Sequence, residues 1–340
     1  MSVQAFSYQL RPGKFIDRSL FIELLQLLDR QGSKAGSLRE AIYIGFGGPC
    51  MEDHRALHAA LGLSKMISIE NDANVFLQQQ FNRPLREISC LQIDAKDFVD
   101  EFDAHLRDHK VAASARKIIW FDFEKSEELS GQLQSLQSLI GLANAGDVLR
   151  LTVNAHASAL GNMREGEQEP SLRARRLSKL RQLLGDFAPA DLNEDSTKGR
   201  ELPKAIHSAI KLAALAATSR SGKTFLPLLT VSYADGQTML TVTGIVLEDD
   251  NVKAFLDATG LRKWAFYADG WDKIENVSAA PYLTLRERMH LDQAVMGGRN
   301  KLPVKLNYLR NVQNVGGEIE LIKLYRRYQR FFPRFQHVEI

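Results

Sequence analysis

Cysteine is scarce in this chain. Its 340 residues include two, Cys50 and Cys90, far apart in sequence. With no CxxC pair and no Cys/His cluster, no zinc or other metal site is expected. Two thiols in a chain this long fit a reducing compartment. Long apolar runs are also missing. No window approaches about eighteen uncharged apolar residues, so no membrane-spanning helix is expected. The opening stretch MSVQAFSYQLRPGKF lacks a basic segment leading into an apolar one, and the expected location is cytoplasmic. Charge of one sign is in short supply. The net charge of +3 is too small to imply nucleic acid by itself. No internal repeat or low-complexity tract is visible.

What is present is ordinary for a folded globular protein: 44% hydrophobic and 25% charged residues. Residues 16–30 place apolar side chains at helical spacing. From residue 41 short apolar runs recur: 41–46 (AIYIGF), 66–69 (MISI), 88–93 (ISCLQI), 118–121 (IIWF) and 148–153 (VLRLTV). Helical patterns at 52–61, 73–81, 96–107 and 127–143 separate them. Strands alternating with helices predict a parallel sheet covered on both faces, and continuous apolar runs are what doubly buried strands need. Residues 158–220 read as a mostly helical, polar insertion. The stretch 228–247 then reads as a hairpin, with Asp235-Gly236 expected to form a type I′ turn. The expected fold is α/β: a doubly wound, mostly parallel seven-stranded sheet ending in an antiparallel hairpin. The expected domains are an N-terminal extension (1–40), a Rossmann domain (41–250) carrying the insertion, and a basic C-terminal α/β region (251–340).

The chemistry-bearing residues fall at the ends of the strands. Tyr43-Ile-Gly-Phe-Gly-Gly-Pro49 closes the first. Glycines there allow a tight turn and close approach of a ligand to the backbone, ahead of a helix N-terminus. Glu70 ends the second strand, 25 positions after Gly45. At that spacing a carboxylate can accept from both hydroxyls of a ribose; otherwise it is a solvated group beside the next helix. Asp72 fits an N-cap before Ala73. Asp94 follows the third strand and either serves a ligand or caps the helix at Ala95. Asp122 follows the fourth strand, with Glu124 nearby. It reads as a general base, a substrate anchor, a metal ligand or a plain helix N-terminal charge. His156 and Asn154 follow the fifth strand; His156 is either an acid/base group or a locally bonded loop residue.

This order of elements and strand-end groups, closed by a hairpin, resembles the class I S-adenosylmethionine-dependent methyltransferases over roughly residues 41–247, the insertion aside. The resemblance implies that Gly45, Gly47 and Gly48 wrap the methionine part of S-adenosylmethionine. Glu70 would then bond the ribose and Asp94 the adenine amino group, with Asp122 facing the methyl-transfer centre. The acceptor is expected from the insertion and the C-terminal region, and an oxygen acceptor by default, since no NPPY-like tetrad follows the fourth strand. Two positions depart from the family pattern. Tyr43 stands where an acidic residue is usual, and Pro49 where a third glycine is. A catalytically inactive scaffold of the same fold is the alternative reading, and an NAD-dependent oxidoreductase a third.

Other features have plainer expectations. His54 and His58, spaced i, i+4 without an HExxH pattern, read as surface or packing residues. The cationic stretch 171–184 and the Arg/aromatic stretch 323–335 suit nucleic acid or a protein partner, or else an amphipathic helix with solvated arginines. Trp264, Phe266, Tyr267 and Trp271 read as core or a pocket wall. Thr284 and Glu287 fit a capping box.

Overall fold

The five apolar runs become five parallel strands. The computed structural model describes residues 11–31, 37–277, 283–309 and 318–332. The strands are β1 (Ile42–Phe46), β2 (Met66–Glu70), β3 (Ser89–Gln92), β4 (Lys117–Asp122), β5 (Val148–Asn154), β6 (Lys223–Ala234), β7 (Thr238–Glu248) and β8 (Glu275–Asn276). The helices are α1 (Pro12–Gln31), α2 (Glu52–Leu61), α3 (Ala73–Asn82), α4 (Ala95–Asp100), α5 (Phe102–Asp108), α6 (Leu129–Leu142), α7 (Glu169–Leu184), α8 (Leu202–Thr218), α9 (Val252–Thr259), α10 (Leu285–Met296) and α11 (Glu318–Tyr328). The sheet runs β3-β2-β1-β4-β5-β7-β6-β8, with β7 antiparallel to β5. This is the expected doubly wound sheet with a closing hairpin. It has eight strands rather than seven, because the two residues of β8 are too few to leave a period in the sequence.

The strands show little alternation because both faces are covered. One face carries Ile44, Ile69, Ile119, Phe121 and Leu151, which pack with α4, α6 and α8 through Phe98, Leu133 and Ile210. The other carries Tyr43, Ser68, Trp120, Arg150 and Thr152, all buried. Several of its polar atoms bond across the strands. Trp120 Nε1 donates to Thr152 Oγ1 at 3.0 Å, and Arg150 Nη1 donates to Thr243 Oγ1 at 2.6 Å. The Arg150 guanidinium lies 4.4 Å from the centre of the Trp120 ring. Pairing of this kind makes burial of such groups tolerable.

Three sequence expectations are corrected. The single helix over 96–107 is two, α4 and α5. The hairpin turn is three residues rather than a two-residue type I′ turn, and among its residues only Gly236 has a positive φ, 98°. Residues 158–220 are helical as expected but not polar throughout: Ile206, Ala209, Ile210 and Ala213 of α8 sit in the main core.

The chain divides into two compact units, 22–231 with 239–275, and 1–21 with 232–238 and 276–340. In the second, Asp235 caps the first turn of α1, accepting from the backbone N–H of Gly13 at 3.0 Å and of Lys14 at 2.7 Å. Helix α10 opens on the expected capping box of Thr284 and Glu287. It meets α11 through the Tyr325 hydroxyl, which donates to Asp292 Oδ1 at 2.6 Å.

Candidate functional site

The sheet order reverses between β1 and β4. From β1 the chain builds outward to β2 and β3 on one side; β4 and β5 lie on the other. The crevice outside the carboxyl ends of the strands at such a reversal is where open α/β sheets bind ligands. The registers align its contents. Phe46 pairs with Ile69, Gly45 with Trp120, Glu70 with Gln92 and Asp122 with Thr152. Carried forward along the strands, these pairings bring Gly47, Glu70 and Asp122 into one row across three neighbouring strands.

The glycine loop is built from both sides. Gly45 is buried within β1. A Cβ there would lie 2.5 Å from the Tyr43 hydroxyl and 2.9 Å from the Trp120 carbonyl oxygen. Its lack of a side chain thus serves internal packing. Gly47 is hemmed in as well: a Cβ would lie 2.6 Å from Ser68 Oγ and 3.2 Å from Met51 Cγ. Gly48, with φ of 53° and nothing within 4 Å of a would-be Cβ, is the glycine that faces open space. Tyr43 is fully buried, its ring edge-on to His54 at 4.9 Å between centroids. It therefore does not present a carboxylate-like group to the rim. His54 is fully buried and His58 Nδ1 lies 2.8 Å from the Leu63 carbonyl oxygen, so both are packing residues.

Glu70 sits half-buried at the end of β2. Its Oε1 accepts from the Asp72 N–H at 2.9 Å and its Oε2 from Gln79 Nε2 at 3.5 Å. Burial pushes its carboxyl above the usual carboxylate range, against the pull of the N–H groups of Asp72 and Asn71. Asp72 caps α3 as expected, accepting from Asn74 and Val75. Asp94 is exposed and caps α4 through the Lys96 N–H at 2.8 Å; Asn71 Nδ2 reaches its other oxygen at 3.4 Å. Capping uses only part of a carboxylate's acceptor capacity.

Asp122 is partly buried at the end of β4. Its neighbours in sequence cluster with a residue of β1: Phe46 stacks on Phe121 at 5.0 Å and meets Phe123 edge-on at 5.2 Å. His156 caps a short 3-10 turn, Ala157–Leu160. The Ser158 N–H donates to its Nδ1 at 3.3 Å, and the Ser158 hydroxyl lies 2.6 Å from the same atom. A backbone N–H donated to Nδ1 leaves the neutral ring's proton on Nε2. Asn154 Oδ1 accepts from the His156 N–H at 2.9 Å, fixing the loop.

A family model described as "Putative O-methyltransferase" matches residues 6–340. The chain belongs to this family. Solved structures it is similar to include the N-methyltransferase NodS from Bradyrhizobium japonicum, at 12% identity over 68% of this chain and 97% of that one, TM-score 0.35. The O-methyltransferase TomG from Streptomyces achromogenes, solved with SAM, is similar at 13% over 66% and 79%, TM-score 0.35. A protein from Thermobifida fusca described as a "putative methyltransferase" is similar at 10% over 68% and 80%, TM-score 0.37. Likeness at TM-scores this low carries no weight for function. No curated protein matches.

Membership of this methyltransferase family agrees with the fold. Trp271 lies 5.2 Å from His207 and 6.1 Å from Phe225, at the core, and Phe266 and Tyr267 are buried. The cations of α7 have partners within the chain. Arg175 bonds both oxygens of Glu167, Arg173 pairs with Glu169, and Arg176 and Arg181 donate to the carbonyl oxygens of Gly161 and Leu192. In α11 and the turn after it, Tyr325, Tyr328, Phe331 and Phe332 are buried, and the Arg330 guanidinium lies 4.1 Å from the centre of the Phe331 ring. Residues 333–335 of the Arg/aromatic stretch lie outside the described residues. Among the described residues no helix is long and apolar enough to cross a membrane.

Ser68, Gln79 and Asn82 were not singled out by the sequence, yet all three touch the glycine loop or Glu70. Gln79 stands in a run of three glutamines, Gln78 to Gln80, and only the fold tells which one turns inward.

Proposed function

We propose that the chain binds S-adenosylmethionine along this rim and methylates an oxygen acceptor. The row formed by Gly47, Glu70 and Asp122 at the strand reversal carries the reading. Gly48 offers an open backbone turn, Glu70 suits the ribose hydroxyls, and Asp94 suits an exocyclic amine. Bound there, the cofactor supplies an electrophilic methyl group on a sulfonium sulfur. Asp122 would hold the acceptor hydroxyl and take up its proton, the role of a general base at a positioned acceptor. His156, its Nδ1 engaged by Ser158, would offer a donor Nε2–H rather than a base, and so would orient an acceptor rather than deprotonate it. The three phenylalanines keep water away from the reacting atoms.

One observation speaks against a dinucleotide. The first turn of α2 carries Glu52 and Asp53. Two carboxylates at that helix N-terminus oppose a pyrophosphate, which helix N-termini otherwise attract. The cofactor's amino group would find no carboxylate at Tyr43, and other acceptors of the rim would hold it. Calorimetry with S-adenosylhomocysteine and with NADH tests the reading. The wild type binds the former and not the latter, and Glu70→Ala weakens binding at least tenfold, the loss expected of a bond to a charged group. Folded wild type that binds neither favours the scaffold reading, and NADH binding the oxidoreductase.

A further inference from the structure

Helix α3 spends its burial on an amide. Gln79 is its one fully buried residue, while Leu77 is 60% and Phe81 90% exposed on the same helix. Burial energetics favours the reverse, because a buried amide is tolerated only when its bonds are made. They are made here. The Ser68 hydroxyl, also fully buried, donates to Gln79 Oε1 at 2.9 Å. Gln79 Nε2 then faces Glu70 Oε2 at 3.5 Å. The opposite amide orientation would set a carbonyl oxygen against the carboxylate, so the charge on Glu70 and the Ser68 hydroxyl select the same rotamer.

The same side chain braces the glycine loop. A Cβ on Gly47 would lie 3.3 Å from Gln79 Cδ. One turn further along α3, Asn82 Nδ2 donates to the Pro49 carbonyl oxygen at 2.8 Å. Helix α3 thus holds the loop at Gly47 and at Pro49 while it aims Glu70.

We propose that Gln79 is a positioning residue of the cofactor site: it orients the Glu70 carboxylate toward the ribose hydroxyls and fixes the loop at Gly47. The proposal rests on the S-adenosylmethionine reading above. It predicts an effect specific to the ribose, which a purely structural role does not.

Gln79→Met keeps the volume against Gly47 and removes the donor. The probes are S-adenosylhomocysteine and its 2′-deoxy analogue, titrated calorimetrically. Wild type prefers the hydroxylated compound by roughly tenfold, the value of one bond to a charged acceptor. In Gln79→Met the preference falls to about twofold or less, while affinity for the deoxy analogue changes little. Ser68→Ala, which frees the amide to turn, lowers the preference part of the way and serves if Gln79→Met does not fold. An undiminished preference in the folded variants, or an equal loss for both compounds, overturns the proposal and leaves the cofactor reading standing. Wild type that binds both compounds equally overturns the role of Glu70 and, with it, of Gln79. Wild type that binds neither overturns the cofactor reading itself.

Discussion

At the scale of single residues, His54 shows how the interior is tuned. It is fully buried against Tyr43. Burial pushes its pKa down to about 4, with Asp53 and the Ile67 backbone pulling the other way. Burial also pushes His207 down to about 4, helped by Lys211. In the unfolded chain both return to the ordinary value near 6.5. Between pH 6.5 and 4 the unfolded state therefore takes up protons that the fold refuses. The stability these neutral rings contribute is complete above pH 6.5 and is lost as pH falls through that window. For His54 alone the loss between pH 7 and 5 is about 2 kcal/mol. Urea midpoints at the two pH values check this: His54→Phe reduces the difference, His207 keeping its share, and an unchanged pH slope in that variant would rule the account out.

At the scale of elements, the central strands are pinned at their entry ends. Lys117 Nζ lies 2.9 Å from Asp147 Oδ2, with both side chains almost fully buried. Asp147 also accepts from the Lys117 and Asn144 N–H groups, each at 2.8 Å. This cluster holds the start of β4 beside the start of β5 and so sets the register that ends on Asp122 and Thr152. Breaking one partner leaves an uncompensated buried charge. Asp147→Ala is expected to cost about 3–5 kcal/mol in denaturant unfolding, and Lys117→Met with Asp147→Asn to recover a large part of it. Equal losses in the single and double variants would show that the ion pair is not the source.

At the scale of the whole molecule, stability is expected to be graded across the sheet. Strands β1, β4 and β5 are buried along nearly their whole length. Helix α3 is anchored by Gln79 alone among its fully buried residues. Native-state amide exchange should be slowest in the three central strands and faster in α3, and Gln79→Met should speed exchange in α3 without changing the central strands. Uniform protection across these elements would contradict that gradient.

Much of the fold was legible from the chain alone. Continuous apolar runs separated by amphipathic segments marked five parallel strands and most of their helices, and Asp72 and Asp94 fell where caps are needed. These signals are local: a buried strand or a helix start depends on a few adjacent residues. The positions of Glu70 and Asp122 at the ends of β2 and β4, and of Asp94 just after β3, were legible for the same reason, because a strand end can be read from adjacent residues. What local pattern could not decide depends on distant partners. The close approach of the Trp120 carbonyl oxygen to Gly45 and of the Ser68 hydroxyl to Gly47 comes from neighbouring strands, not from adjacent residues. So does the choice of which glutamine of α3 turns inward. Adjacent residues thus suffice to say which segments are strands and which groups stand at their ends. That β1 and β4 lie side by side, and that Gly47, Glu70 and Asp122 share a row, emerges with the folded sheet, because register and packing arise between segments and not within them.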